Sequence, residues 1–447
     1  MIENKKVFII GLARSGYECA KLLIKYNNDI TVVDENNEDT HIEELRSMGV
    51  NVIIAPRDQQ ASYLDDSFAV VVRNPGVPLN SSCVLKALEL NLPITGEVDI
   101  AYNLFPKDIK IVAITGSNGK TTTTTMIYEV LKKSNLPVHL GGNIGYPLTS
   151  LVEHVKQGDI LVLEISDHQL VNMNDFKSNI SILTNIVESH IDFHGTYGSY
   201  QEAKKKIFTH HTNADIAIIN AGNEVSLELT KDIPSSKVLF SSNPDIKSNL
   251  YIKDDSIYYN DELMLNTKDI KLVGNHNYEN VMCTLAVCKY FNVDINVAKG
   301  FFSEFGGVEH RLELVANING VEYYNDAKST NTAATLIALN AFNKPIHLIM
   351  GGLDRGHSFD EIKEFKNKIK SIYAYGETKS RINDFASANN IDCLVSDTLK
   401  LSINKASSKA NNDEVVLLSP ACASWDQYKK FEDRGDEFKQ EVLEMSK

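Results

Sequence analysis

Several things are scarce or missing in this 447-residue sequence, and each absence excludes a class of protein. The six cysteines (Cys19, Cys83, Cys283, Cys288, Cys393, Cys422) form no CxxC pair. That argues against a zinc knuckle or a disulfide framework and suits reduced thiols in a cytosol. No apolar run approaches the roughly 20 residues that a membrane span needs. The opening MIENKKVFIIGL breaks at Gly11, which fits neither a span nor a signal peptide. Low-complexity tracts and repeats of solenoid period are also missing. Positive charge is the minority: 45 Lys and Arg face 59 Asp and Glu, a formal charge of −14. Such a balance repels a phosphate backbone, so neither nucleic acid nor membrane is expected as a partner. Any phosphate ligand has to be held locally.

What is present is the composition of a globular chain, 43% apolar and 23% charged. At roughly 150 residues per domain the length suggests about three. Residues 5–34 read as strand, helix and strand (KVFIIG, YECAKLLIKY, DITVVD), continued by VNVIIA and FAVVVRNPGVP. LPITGE, at Leu92 to Glu97, is a turn-rich exit. A second series runs through IKIVAIT, DILVLEI, ISILTNI and ADIAIIN to an apolar helix near Tyr278 to Phe291. After Gly306-Gly307 comes LELVANINGVEYYND, a hairpin turning at Asn319-Gly320, then the buried strands IHLIMGG, SIYAYGE and VVLLSP. The expectation is an α/β chain of three domains, 1–95 and 302–447 Rossmann-like and 96–301 a central phosphate-loop domain with a mostly parallel sheet.

The strongest local signal is Gly116-Ser117-Asn118-Gly119-Lys120-Thr121, set between an apolar strand and a helix. Glycines let the backbone turn so that its N–H groups and the helix N-terminus face phosphate oxygens. Lys120 then neutralises the β and γ phosphates, and the Thr121 hydroxyl meets magnesium. The bland reading, a glycine turn that merely precedes a helix, ignores this agreement of strand, loop and helix. Glu164 ends the strand DILVLEI, where such proteins carry an acidic magnesium ligand. The run Val187 to Asp192 offers imidazole and carboxylate to a second metal, although a lone His190 is more often a plain loop residue. By spacing alone, Lys204, Lys205 and Lys206 read as a solvated basic face. In the first domain Gly11, Gly16 and Asp34 invite a nicotinamide reading, but Ala13 stands where GxGxxG needs its middle glycine.

Taken together, GSNGKT, NIVESHIDFHGTYGSYQEAKKKIF, GNHNYEN, GVEHRLE, YNDAKSTN, GGLDRG and LSPACASWDQY resemble the muramyl ligases that build the peptidoglycan stem peptide. The likeness spans the whole chain. LSPACASWDQYKKFEDRGDEF, GGLDRG and the N-terminal GLARSG look most like the branch that adds D-glutamate to UDP-N-acetylmuramoyl-L-alanine. The resemblance implies an ATP-dependent ligase of cytoplasmic peptidoglycan precursor synthesis, working through an acyl phosphate with two magnesium ions, and expected to be a monomer. It gives Gly116 to Thr122 to the ATP phosphates, with Lys120, Glu164, His190 and Lys204 as catalytic residues. Thr121, Glu164, His190 and a carbamylated Lys204 are the implied metal set, which reverses the solvated-face reading of Lys204. Asn277 and Asn280 match adenine-side contacts, and Arg311 and Asp326 match nucleotide contacts from the third domain. For D-glutamate the matching positions are Lys328, Thr330, Arg355, Ser424 and Phe431. The UDP-sugar candidates are Arg14, Ser15, Asp34, Glu35, Asn36, Gly76, Asn143 and Ser166, with His190 beside them.

The chain departs from that pattern in places. Relatives show Ser-Ser-Phe-Gln after the strand glutamate, whereas this chain has Ser166-Asp167-His168-Gln169. Asp167 and His168 are extra ligands, pH-sensitive contacts or outward-facing replacements, the last being preferred because Ser166 keeps its place. Ala327 replaces a serine, Arg355 a lysine of some relatives, and Asn36 an arginine near the uracil of others. A sibling ligase for another amino acid, or a folylpolyglutamate-type ligase, is the nearest alternative. A phosphate-loop kinase or switch leaves Lys328, Thr330, Arg355 and Ser424 without a task.

Overall fold

The computed structural model describes residues 2–37, 41–272 and 274–445, in two compact units, Met1–Ser303 and Glu304–Lys447. The first unit holds two sheets. Its N-terminal sheet is wholly parallel, in the order Asn51–Ile54, Asp29–Asp34, Lys6–Ile10, Val70–Arg73, Ile94–Thr95. Strands covered by helices on both faces read as continuous apolar runs, and Val7, Phe8, Ile9 and Ile10 are all buried.

The second sheet has nine strands in the order Glu262–Asn266, Ser256–Tyr259, Leu250–Lys253, Ser236–Ser241, Ile216–Asn220, Ile180–Leu183, Lys110–Thr115, Ile160–Glu164, Val138–Gly142. Seven run parallel, and the last two in chain order are added antiparallel. Those last strands turn at Asp254-Asp255 and Asn260-Asp261, all four residues at positive φ. Asp and Asn tolerate that region, and two-residue turns of this kind match strand twist. The sequence reading had passed over this meander.

Beneath the central sheet, Ile111, Ala113, Leu161, Leu163, Leu183 and Ala217 pack in one cluster with Val98 and Ala101 of helix Glu97–Leu104 and with Leu22 of helix Arg14–Ile24. Burying a side chain of this size contributes about 1.5–3 kcal/mol. The same two helices also pack, through Ala20, Leu23 and Ile100, into the separate core of the N-terminal sheet, so they join the two cores.

The second unit has a six-stranded sheet in the order Glu313–Ile318, Val321–Asn325, Val415–Leu418, Ile346–Gly351, Ile369–Tyr375, Cys393–Val395. Only its first pair is antiparallel, the hairpin expected at Asn319-Gly320. Both turn residues have positive φ, 53° and 81°. The α/β class with mostly parallel sheets is thus as the sequence implied.

Glu97 ties the first helix of the central region to the short helix Leu148–Leu151 at Thr149. Its Oε1 accepts the Thr149 N–H at 2.7 Å and the hydroxyl at 3.0 Å. Burial pushes its pKa up to about 7, against the lowering effect of the Thr149 hydrogen bonds. The folded state thus holds this proton more tightly than the unfolded chain, whose carboxyl titrates near 4.5. Its contribution is complete below about pH 4.5 and is lost as pH rises through about 7. In thermal unfolding, wild type should lose up to roughly 3 kcal/mol across that window relative to Glu97→Gln. Parallel pH profiles of the two proteins would contradict this.

Candidate active site

Strand Lys110–Thr115 runs through a glycine loop into helix Lys120–Lys133. Gly116, at φ +146°, has no room for a side chain, since a Cβ would lie 1.9 Å from Thr184 Oγ1. The next strand end holds the loop. Ser117 N–H donates to the Asn185 carbonyl at 2.8 Å, Asn118 N–H to Asn185 Oδ1 at 3.0 Å, and Thr184 Oγ1 to the Asn118 carbonyl at 2.6 Å. Ser117 Oγ lies 2.7 Å from the Tyr200 hydroxyl. The Lys120 ammonium folds over the loop onto the Gly116 and Ser117 carbonyls, at 2.8 and 2.9 Å. Thr121 and Thr122 follow in the first helical turn, whose exposed N–H groups and dipole favour an anion. Helix Asn275–Tyr290 packs on this helix and places Asn280 Oδ1 to accept from Thr123 Oγ1 at 3.0 Å. Asn277 lies one turn earlier, its Oδ1 3.5 Å from Asn280 Nδ2.

Beside the loop, strand Ile160–Glu164 ends in a buried carboxylate. Glu164 Oε1 accepts from Asn143 Nδ2 at 2.6 Å, whereas buried Oε2 has no donor among the described residues. An oxygen desolvated without a partner is costly, and a hard cation relieves that cost. The oxygen donors present, Glu164 carboxylate and Thr121 hydroxyl, fit magnesium in kind, and the His190 imidazole is a softer donor beside them.

Ser166 caps the short helix Asp167–Leu170 in a reciprocal box with Gln169. Here the preferred sequence reading fails: Asp167 is not outward-facing but 1% exposed. Its Oδ2 accepts from His190 Nδ1 at 2.9 Å and His194 Nε2 at 2.8 Å, with His168 Nδ1 at 3.1 Å. Its Oδ1 meets Lys204 Nζ at 3.2 Å. Burial by itself would raise the Asp167 pKa. The hydrogen bonds from His168, His190 and His194 and the charge of Lys204 outweigh it and hold the carboxyl well below the usual range. Asp192, counted with His190 in the sequence cluster, has a side chain outside the described set.

Lys204 also overturns its reading from spacing, because its side chain is fully buried. Nζ lies 3.4 Å from Thr115 Oγ1 and 5.0 Å from the Tyr200 ring centroid. Burial, and then the charge of Lys120, lower its pKa to about 7, with Asp167 and Glu164 pulling the other way.

In the N-terminal sheet, Asp34 Oδ2 accepts the Leu12 N–H at 2.5 Å and Oδ1 the Asn36 N–H at 2.9 Å. A cavity of about 260 Å³ is lined by Gly11, Asp34, Glu35, Arg57, Asn74 and Gly76 among others. Ser15 hydrogen-bonds Asn74, so it supports that wall. Arg14 lies elsewhere, over the Tyr146 ring at 5.7 Å in a second cavity of about 640 Å³. Arg57, which pairs with Glu35, had not been singled out in the sequence.

Within the second unit, Asp326 Oδ2 accepts from Ser329 at 2.5 Å and Ser419 at 2.7 Å, and Oδ1 from the Leu312 N–H at 3.3 Å. Burial pushes its pKa up to about 6, against those hydroxyl bonds and the charge of Arg311. Lys328 N–H bonds the His310 carbonyl at 3.0 Å, and the His310 ring faces Phe431 at 6.2 Å. Arg355 stacks over Trp425 at 4.7 Å. Buried Ser424 Oγ has no protein partner. Thr330 is half-buried between Ser329 and the helix that begins at Thr332.

Sequence reasoning missed Thr184, Asn185, His194 and Tyr200. His194 had a signal, the i, i+4 spacing from His190, but the others carry no chemistry until the strands align.

Sequence profiles match three stretches of the chain. The Mur ligase MurD-like N-terminal domain matches residues 5–96, the Mur ligase middle domain 114–288, and the Mur ligase glutamate ligase domain 310–422. A protein named UDP-N-acetylmuramoylalanine–D-glutamate ligase, from Geobacillus sp. (strain WCH70), is 40% identical over 98% of this chain and 97% of its own length. One of the same name from Staphylococcus aureus (strain MW2) is 38% identical over 98% and 96%. Two solved structures share the fold. MurF of Acinetobacter baumannii has a TM-score of 0.60 at 16% identity, covering 92% of this chain and 91% of its own. UDP-N-acetylmuramate-alanine ligase MurC of Thermotoga maritima has 0.58 at 18%, covering 99% and 100%.

Gly116→Ala tests the loop. The added Cβ, 1.9 Å from Thr184 Oγ1 and at unfavourable φ, should weaken nucleoside triphosphate binding at least about tenfold and cost on the order of 1–3 kcal/mol of stability. Fluorescent-nucleotide titration with thermal unfolding measures both. Wild-type affinity in a folded variant would show that the loop tolerates a side chain.

Proposed function

The chain belongs to the Mur ligase family, and from that membership we infer that it is an ATP-dependent ligase joining D-glutamate to UDP-N-acetylmuramoyl-L-alanine. The observation that carries this reading is likeness along nearly the whole chain to D-glutamate ligases. Peptidoglycan precursor synthesis is the corresponding process, in the cytoplasm; no described helix is long and apolar enough to cross a membrane. The enzyme acts as a monomer with three domains, 1–95 for the UDP-sugar, 96–301 for ATP and 302–447 for the amino acid.

A carboxylate is a poor acylating agent, so the alanyl carboxylate first takes the γ-phosphoryl group and ADP leaves. The D-glutamate amine then attacks the acyl carbon, loses a proton, and phosphate departs. The loop N–H groups from Gly116 to Thr122 and the Lys120 ammonium bind the ATP phosphates and spread the charge that builds on them. Magnesium, expected as two ions, would when bound supply positive charge against that of the phosphates. Thr121, Glu164 and His190 are assigned to hold them. Lys204, whose pKa is pushed down to about 7 by burial and then by Lys120, keeps a share of neutral amine near neutrality. Neutral amine is the form that adds carbon dioxide, and the resulting carbamate offers oxygen to metal. Asn277 and Asn280 are assigned to adenine, and Arg311 and Asp326 to the nucleotide. Arg14, Ser15, Asp34, Glu35, Asn36, Gly76, Asn143 and Ser166 are assigned to the UDP-sugar. Lys328, Thr330, Arg355, Ser424 and Phe431 are assigned to D-glutamate, an arginine gripping a carboxylate with two parallel bonds.

Purified protein with UDP-N-acetylmuramoyl-L-alanine, ATP and magnesium should release phosphate when D-glutamate is added and not with L-glutamate or other stem amino acids. Equal release without an amino acid, or with a different one, overturns the assignment. Lys204→Ala should lose most of this activity and regain part with added short-chain carboxylates. Unchanged turnover would remove Lys204 from the catalytic set.

A further inference from the structure

This chain buries Asp167 and surrounds it with three imidazoles and an ammonium. An ionised carboxylate has about four lone-pair sites. Oδ2 faces His190 Nδ1, His194 Nε2 and His168 Nδ1 at 2.9, 2.8 and 3.1 Å, and Oδ1 faces Lys204 Nζ at 3.2 Å. Three of the four donors converge on Oδ2 and one meets Oδ1. A metal ion bound at Oδ2 would have to displace one of these donors inside a buried pocket. For neutral imidazoles the same geometry fixes the tautomer. A ring nitrogen that donates to a carboxylate carries the proton, which leaves the other with its lone pair.

We propose that Asp167 is a positioning residue: it holds His190 in the Nδ1–H tautomer, so that Nε2 is presented to a divalent cation while the carboxylate stays out of the coordination sphere. His190 is 48% exposed at its side chain and sits at φ 52°, the left-handed start of the short helix Ile191–His194. Without a fixed partner such a ring would turn freely. Asp167 and the neighbouring rings of His168, at 5.0 Å, and Tyr200, at 6.2 Å, set its plane. His194 spends its own Nε2–H on the same oxygen and is buried, so it braces the carboxylate. Carboxylate–imidazole–metal arrangements of this kind raise ligand basicity and are worth about 10–100-fold in metal affinity. The metal-binding half of the proposal rests on the ligase reading above; the tautomer half does not.

The test begins on the metal-free, substrate-free protein. Long-range ¹⁵N–¹H spectra at about pH 9, above the ordinary imidazole range, read each tautomer directly. Wild type should show His190 as Nδ1–H and His194 as Nε2–H. Asp167→Asn, which keeps the shape but fills only one acceptor oxygen, should shift His190 toward Nε2–H. Manganese titration followed by electron paramagnetic resonance should then show one site weakened about 10–100-fold in Asp167→Asn and in Asp167→Ser. An Nε2–H signal for His190 in wild type, needing no variant, overturns the proposal. So does unchanged manganese affinity in both variants, or complete loss of the site with the His190 tautomer unmoved, the signature of a direct ligand. Failure of D-glutamate ligation with a normal tautomer pattern would instead sink the ligase reading alone.

Discussion

Four parallel strands of the central sheet end level with one another, and the candidate site of the first unit follows from that register. Ile114 pairs with Glu164, Thr115 with Leu183, and Gly142 with Glu164. The glycine loop, the Ser166 cap and the Thr184-Asn185 corner therefore leave the sheet at the same height. The Thr184-Asn185 corner then hydrogen-bonds the glycine loop. A slip of one residue would turn Glu164 to the opposite face and detach Asn185 from the loop it holds. Apolar burial on both faces resists such a slip, because Val112, Ala113, Val162, Leu163 and Ile182 are all fully buried. Gly142 is constrained in the same way: at φ +99° a Cβ there would sit 2.2 Å from the Glu164 carbonyl.

Charge at this sheet edge runs against the charge of the chain. The protein carries −14 overall, yet Lys120 and Lys204 are close enough that the first lowers the pKa of the second. Two cations repelling each other in a partly desolvated pocket are unfavourable until anions arrive. A triphosphate supplies them, and its binding would offset both the repulsion and the burial of Lys204. Glu164, with one buried oxygen lacking a donor, has the complementary need for a cation. The pocket thus sets cations suited to phosphate beside a carboxylate oxygen that a cation would satisfy, and the net negative charge of the chain does little to oppose either, since surface charges are screened beyond about 8–10 Å at ordinary ionic strength.

Periodicity and turn chemistry were enough to read the parallel strands, the glycine loop and the Asn319-Gly320 hairpin from sequence, because each depends on neighbours in the chain. The meander of Leu250–Lys253, Ser256–Tyr259 and Glu262–Asn266 was missed although Asp254-Asp255 and Asn260-Asp261 are acceptable turn pairs. Its strands are short and half exposed, so they lack the apolar runs that marked the others. Lys204 was misread by spacing for a different reason. It sits in a run of three lysines on helix Tyr197–Lys205, and helical geometry says which residues share a face but not which face is covered. Asp167 was misread because its partners come from Asp167–Leu170, Ile191–His194 and Tyr197–Lys205, three segments that only tertiary structure joins.

The same device, with opposite sign, recurs in the second unit. Arg434 is fully buried at the start of helix Phe431–Met445, and its guanidinium donates to the carbonyls of Ala327 at 2.8 Å, Cys422 at 3.1 Å and Gly351 at 3.4 Å. Those carbonyls belong to the loops that carry Lys328, Ser424 and Arg355. A loop cannot brace itself with apolar packing when its outer face must stay open to a polar ligand, so it has to be held from behind. A buried charge suits that role, because each unsatisfied lone pair or proton on it is expensive and the loops are kept wherever they fill it. Carbonyl oxygens of irregular backbone call for a donor with several diverging N–H groups, which arginine has. Imidazoles and an ammonium call for an acceptor with several lone pairs, which aspartate has. The sign of each buried charge follows from what the surrounding residues offer.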